Sequence, residues 1–146
     1  MSMIKEYLAA DHRKCDELFA NMEDMANTSL QDSIEECKKF IDRTERHFQM
    51  EERVMFVEFE KKTGMIEGPT QMMRHEHTQM RNLMKQMLEA LEAGDKDKFF
   101  SNSETLMILL QQHNMKEEQM LYPMAQQHLS AQAEHIIDMM QSIIVE

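Results

Sequence analysis

The sequence predicts an all-α protein, an antiparallel up-down-up-down four-helix bundle with a short fifth helix at its C-terminal end. Only three glycines and two prolines interrupt 146 residues, whereas a many-stranded sheet needs turn residues at about every tenth position. The strong helix formers Met, Leu, Glu, Gln, Lys and Ala dominate the composition. Apolar side chains recur at helical spacing along five segments. The length suits one domain, 1–146, with a real core.

Ser2 is placed to cap a first helix that carries Ile4, Leu8, Cys15, Leu18, Phe19 and Met22 in line and ends near Asn27 and Thr28. A second helix, over 30–62, has Ile34, Cys37, Ile41, Phe48 and Met55 as its stripe. Thr63-Gly64 stops it, and Gly68-Pro69 opens a third over 69–92, with Met73, Met80, Met84, Met87 and Leu91 aligned. Gly94 ends that helix. Asp95 or Asp97 caps a fourth, which carries Leu106, Leu110, Met120 and Leu121 and which Pro123 kinks or ends. A fifth, over 130–145, is amphipathic through Ile136, Ile137, Met140 and Ile143 and folds back over one end. Short connections make neighbouring helices antiparallel.

A net charge of -11 argues against nucleic acid, whose phosphates are bound by clustered Lys and Arg, and against an anionic membrane surface. The opening residues hold no apolar run of signal-peptide length, and no stretch reaches the roughly 20 apolar residues of a membrane span. These features predict a cytoplasmic protein. Cys15 and Cys37 sit at different heights on adjacent helices, roughly 10 Å apart at ~1.5 Å rise per residue. They are expected to be buried free thiols.

The chain also repeats itself. His12 is followed 35 residues later by His47, and His77 is followed 36 residues later by His113. Each second histidine begins His-x-x-x-Glu, and HFQMEERVMF aligns with HNMKEEQMLY. An acidic residue, Asp11 or Glu76, precedes the first histidine of each half, and Leu18 and Leu83 follow at equal distances. Two helical hairpins of one pattern build a bundle with approximate two-fold symmetry.

His47 and Glu51 stack one turn apart in a stripe with Thr44, Phe48, Val54 and Met55, and His113 and Glu117 fall between Leu110 and Met120. His12 shares its face with Leu8, Cys15 and Phe19, and His77 with Met73, Met80 and Met84. A lone histidine on an apolar face is more often a satisfied core residue, and one His-x-x-x-Glu arises by chance. Six such residues, level across four helices, need a shared reason, because an isolated buried carboxylate costs several kcal/mol. Metal ions between the helices supply that reason. His75 and His135 lie on polar faces and His128 lies beyond Pro123, so these three are read as surface histidines.

Four imidazoles and two carboxylates are too nitrogen-rich for Mg or Ca and lack the thiolates of structural zinc. With Glu51 and Glu117 bridging, each ion receives two nitrogens and two oxygens, which suits a non-haem iron pair. Mn or Zn can substitute.

These residues resemble the hemerythrin-like (HHE) family over 7–124, through His12 in DHRKCDEL, His47 and Glu51 in HFQMEE, Glu76-His77, and His113 to Glu117 leading into Leu-Tyr-Pro. The resemblance implies an oxo- or hydroxo- and carboxylate-bridged pair of Fe ions held by His12, His47, Glu51, His77, His113 and Glu117. Oxygen-carrying hemerythrins have a fifth histidine where this chain has Met73, and His-x-x-x-x-Asp where it has His-x-x-x-Glu. Both departures make it similar to the RIC-type iron-centre repair proteins, implicated in nitric-oxide stress and recovery of iron–sulfur clusters. The implied activity is reduction or scavenging of NO, O2 or peroxide, which requires an electron donor and would make the chain a di-iron reductase. The alternatives are a reversible O2 carrier or sensor, an iron-sensing binding module, or a structural bundle with a vestigial site.

Asp11, Glu76 and Tyr122 are the outer-shell candidates: the acids to orient an imidazole or relay protons, the tyrosine to reach the end of the pocket. Glu52 and Glu118, next to the bridging glutamates, are expected to be exposed. The 18 methionines read first as gap-filling core, with Met73, Met80 and Met120 expected close to the metals.

Overall fold

The computed structural model describes residues 3–146, so the Ser2 cap lies outside the described residues. The helices are α1 (Met3–Thr28), α2 (Leu30–Met50), α3 (Phe56–Thr63), α4 (Pro69–Glu92), α5 (Lys96–Lys116), α6 (Tyr122–Leu129) and α7 (Ala133–Gln141). The described residues form no strand. A π-helical turn, Glu51–Met55, welds α2 and α3 into one rod, and a second, Glu117–Leu121, does the same for α5 and α6. Four rods therefore make the bundle, with α7 as the fifth element.

Local chemistry sets the ends of these rods. Ser29 Oγ accepts the Asp32 N–H at 3.2 Å, capping α2. Asp95, rather than Asp97, caps α5 by accepting the Lys98 N–H at 3.1 Å. Gly64 closes α3 at φ 74°, a left-handed conformation that costs glycine little. Pro69 occupies the first turn of α4, where its missing N–H is no loss.

The α1–α2 and α4–α5 hairpins are the most extensive pairs, and α2 packs on α4 across the middle. α7 lies over one end against α1 and the first π turn, as the amphipathic pattern predicts. Arg46 and Arg53 pin the C-terminal segment by donating to the carbonyls of Gln141 (3.0 Å) and Ile144 (2.9 Å).

The core is split into two apolar layers. One contains Ile4, Leu8, Met55, Phe56, Phe59, Tyr122 and Ile136, and the other Phe19, Met22, Phe40, Phe48, Met84 and Phe99. Burying each of these phenylalanines stabilises the fold by roughly 1.5–3 kcal/mol. Cys15 and Cys37 are both buried free thiols. Burial, with help from Glu92, pushes the Cys37 thiol up to about 12.

Pro123 does not end its helix, and the rod runs on to Leu129. The π turn explains this. The Tyr122 N–H reaches back five residues to the Glu117 carbonyl, and Pro123 then enters at the start of a new α-helical stretch, where a proline is tolerated.

Candidate metal centre

Between the two apolar layers the rods bring together all six residues that the repeat singles out. His12 from α1, His47 from α2, Glu51 and Glu117 form one group. His77 from α4 and His113 from α5 form the second with the same two glutamates. Within each group the donor atoms all lie within 4.8 Å of one another. None of the six side chains is more than 4 % exposed.

Each glutamate turns one oxygen to each group. Glu51 Oε2 is 3.5 Å from His47 Nε2, and its Oε1 is 3.1 Å from His77 Nε2. Glu117 Oε1 is 3.0 Å from His12 Nε2, and its Oε2 is 3.2 Å from His113 Nε2.

In the second group the chain leaves its own polar atoms unanswered. Glu51 Oε1, His77 Nε2, His113 Nε2 and Glu117 Oε2 are buried without a hydrogen-bond partner, because the short distances between them are not aligned as hydrogen bonds. Buried polar atoms are nearly always satisfied. Four orphaned donors of metal-ligand type, converging at one place, fit a cation. The residues present therefore suit the group that the sequence implies.

The two shared glutamates owe their placing to the π turns, since each is the first residue of one. A residue five positions on would point about 140° away along an α-helix, but a π turn returns it close to the same face. Phe56 thus follows Glu51, and Tyr122 follows Glu117, into the centre. The pattern of the buried stripe carries this signal. Inward positions run 37, 40, 44, 47 and then 51, 55, 59 in steps of four, and likewise 106, 110, 113 and then 117, 121, 125, 129. Successive steps of four outrun a 3.6-residue helix, so a residue has been inserted.

That register shift corrects the expectation for Met120. Leu121 takes the inward place, and Met120 is 63 % exposed rather than beside the metals. Met73 and Met80 are buried on the inward face. His75, His128 and His135 are exposed.

Each histidine is held by a carboxylate from the rod before it. His47 Nδ1 pairs with Asp11 (2.8 Å), His77 Nδ1 with Glu52 (2.6 Å), His113 Nδ1 with Glu76 (2.8 Å) and His12 Nδ1 with Glu118 (2.8 Å). The four bonds form a closed ring in which an N–H donates at Nδ1 and leaves Nε2 free to face the centre. Asp11 and Glu76 therefore do not serve the histidine beside them in sequence, which points elsewhere, but the one on the next rod. Glu52 and Glu118 are not simply exposed: each is half-buried and completes the ring. Cations back three of the four, with Arg43 on Asp11, Arg81 on Glu52 (2.9 Å) and Lys116 on Glu76 (2.5 Å).

Tyr122 does not merely reach the end of the pocket. Its hydroxyl is wholly buried in the first group, 2.5 Å from Glu51 Oε2, 2.9 Å from Glu117 Oε1, 3.0 Å from His12 Nε2 and 3.2 Å from His47 Nε2. Burial, with the charges of Glu117 and Glu51, pushes this phenol well above its ordinary range in the metal-free chain.

Three imidazoles of the metal-free chain, His12, His47 and His113, are raised above their ordinary value. Burial alone would lower His113, but Glu117 and Glu76 outweigh it and push it up to about 10. Burial is likewise outweighed at His47 by Glu51 and Asp11, and at His12 by Glu117 and Glu118, so both are raised. Burial would raise Asp11, but His47 and Arg43 bring it down to about 2; Glu76 is held at about 2 chiefly by His113.

The signs fix a prediction. A raised histidine contributes stability that is complete below its unfolded value of 6.5 and is lost as pH climbs towards 10. The depressed carboxylates contribute above their ordinary 3.8 and 4.5 and lose it as pH falls towards 2. The metal-free protein is therefore expected to melt at progressively lower temperature from pH 6.5 to 9. Metal binding displaces those protons, so the gap between metal-loaded and metal-free melting should widen over the same range. A metal-free melting temperature that rises over that range would contradict this charge assignment.

No helix among the described residues is long and apolar enough to cross a membrane. No curated protein and no solved structure matches the chain. The family model of the hemerythrin HHE cation-binding domain matches residues 3–125. That match takes in both half-sites, both π turns and Tyr122, and the chain therefore belongs to the hemerythrin HHE cation-binding family.

Proposed function

We propose that the chain holds two iron ions, one in each group, with Glu51 and Glu117 bridging, and that this pair binds and reduces NO, O2 or peroxide in the cytoplasm. The carrying observation is the ligand set. Four histidines and two glutamates converge in matched halves, while Met73, buried one turn before His77, stands where oxygen carriers have a further histidine. That set resembles the four-His, two-Glu centres of the RIC-type iron-centre repair proteins. Removal of NO or peroxide would, in a cell, protect iron–sulfur clusters. Zinc or manganese suits the same donors, but zinc has no redox chemistry to offer.

Iron would supply the electrons, replenished by a separate donor. The chain's own residues prepare the place. The carboxylate ring fixes each Nδ1–H and so aims each Nε2 inward. Phe48 lies flat against His77, with ring centroids 3.9 Å apart, and keeps that imidazole from rotating. The apolar layers above and below exclude bulk water, which strengthens every charge interaction inside.

Stopped-flow absorbance of the diferrous protein, mixed separately with O2 and with NO after iron has been counted, tests this reading. Prompt irreversible oxidation by O2, with N2O released from NO, is expected. A stable oxy adduct that reverses on deoxygenation would overturn the reductive reading in favour of a carrier or sensor.

A further inference from the structure

We propose that Tyr122 is a protein ligand to the metal in the first group, through its phenolic oxygen, so that the two metal positions are built unequal. The proposal rests on the chain loading a metal in each group, and not on which small molecule reacts there.

The geometry is that of a shared coordination sphere. Two donors at right angles on one ion, each bound at about 2.1 Å, lie about 3 Å apart. The Tyr122 hydroxyl stands 2.5, 2.9, 3.0 and 3.2 Å from the four donor atoms of the first group. An atom at the metal's own place would sit nearer to all four, and a second-sphere residue would reach one or two of them. A fifth donor above a base of four meets all four at this distance. Within the base, the neighbouring pairs His12–Glu117 and His47–Glu51 are 3.0 and 3.5 Å apart, as adjacent corners should be.

The second group has no counterpart. Its equivalent of Tyr122 in the repeat is Phe56, also five residues after its glutamate and also at the end of a π turn. Phe56 stacks near His77, with centroids 5.9 Å apart, and carries no donor atom. The chain thus offers five donors at one position and four at the other. Of the donor atoms in the two groups, the orphaned ones lie where the phenol is missing: the first-group donors are all hydrogen-bonded to Tyr122, and the second-group donors are not. Binding of the cation replaces the phenolic proton, which leaves to solvent. Sites for an incoming small molecule then concentrate on the His77 and His113 side.

The test is the visible spectrum of the protein loaded with ferric iron at two ions per chain. A phenolate bound to ferric iron absorbs in the visible by charge transfer, and resonance Raman excitation in that band shows tyrosine ring modes. Wild type should show both. Tyr122→Phe should lose them and still bind two irons. The chain has two tyrosines, and Tyr7 donates instead to Met50 Sδ at 3.6 Å, so Tyr7→Phe should retain band and modes. Tyr7→Phe also decides the matter if Tyr122→Phe does not fold, because any tyrosinate modes it shows belong to Tyr122. Two irons without the band in wild type, or a band that survives Tyr122→Phe, would overturn the ligand assignment alone. Fewer than two irons in wild type would overturn the two-position reading and this assignment with it.

Discussion

Glu51→Ala and Glu117→Ala are each expected to cut bound metal from two ions per chain to one or none. Each carboxylate presents one oxygen to each group, so a single truncation removes a donor from both positions at once. None of the four histidines has that reach: losing His77, for example, touches one group only. Metal counted by plasma emission on the purified variants gives the answer, with His77→Ala as the comparison that should lose one ion at most. Glu51→Gln keeps the volume and removes the charge, which separates lost ligation from a cavity. Two ions per chain retained in either alanine variant would end the case for bridging.

Stripping the metals is expected to lower the melting temperature by about 10 °C or more at neutral pH. A ligand present at a thousand times its dissociation constant stabilises by about 4 kcal/mol, and a chain of this size moves by roughly 2–4 °C per kcal/mol. The local charges argue the same way. Glu51 and Glu117 are completely buried, with four more carboxylates at the outer edge of the imidazoles, and metal charge offsets them. Thermal melts with and without a chelator, followed by restoration on adding ferrous iron, measure the difference. An unchanged melting temperature would mean a vestigial site in a structural bundle.

The bundle and the six converging residues were legible because both follow from periodicity. Scarce glycine, helical apolar stripes and a repeated His…His-x-x-x-Glu each report on regular α-helix, and regular helix is what most of the chain adopts. The expectations for Met120 and Tyr122 fail for one physical reason. An α-helical register carried past Glu117 sends Met120 inward and takes Tyr122 no further than the end of the pocket, and one inserted residue turns Met120 out and brings the Tyr122 hydroxyl to the centre. The steps of four after each glutamate were in the sequence all along, but they announce a π turn only when buried positions are known. Glu52 and Glu118 were misread for a different reason. A residue beside an inward ligand does point away from its own rod's seam, but in a bundle that direction meets the next rod.

The carboxylate ring also sets an order of assembly. Three of its bonds join residues 25 to 37 positions apart, Asp11 to His47, Glu52 to His77 and Glu76 to His113. The fourth, from Glu118 to His12, spans 106. Closing a long loop costs more chain entropy than closing a short one, and non-local contacts form late for that reason. Each hairpin can thus orient its own second histidine while the chain is still open, and His12 is locked only when the last rod docks against the first. His12 belongs to the position that also receives Tyr122 from that same last rod. A folding chain is therefore expected to complete the second group, with His77 and His113, ahead of the first, and the meeting of His12 with Tyr122 marks the moment the bundle closes.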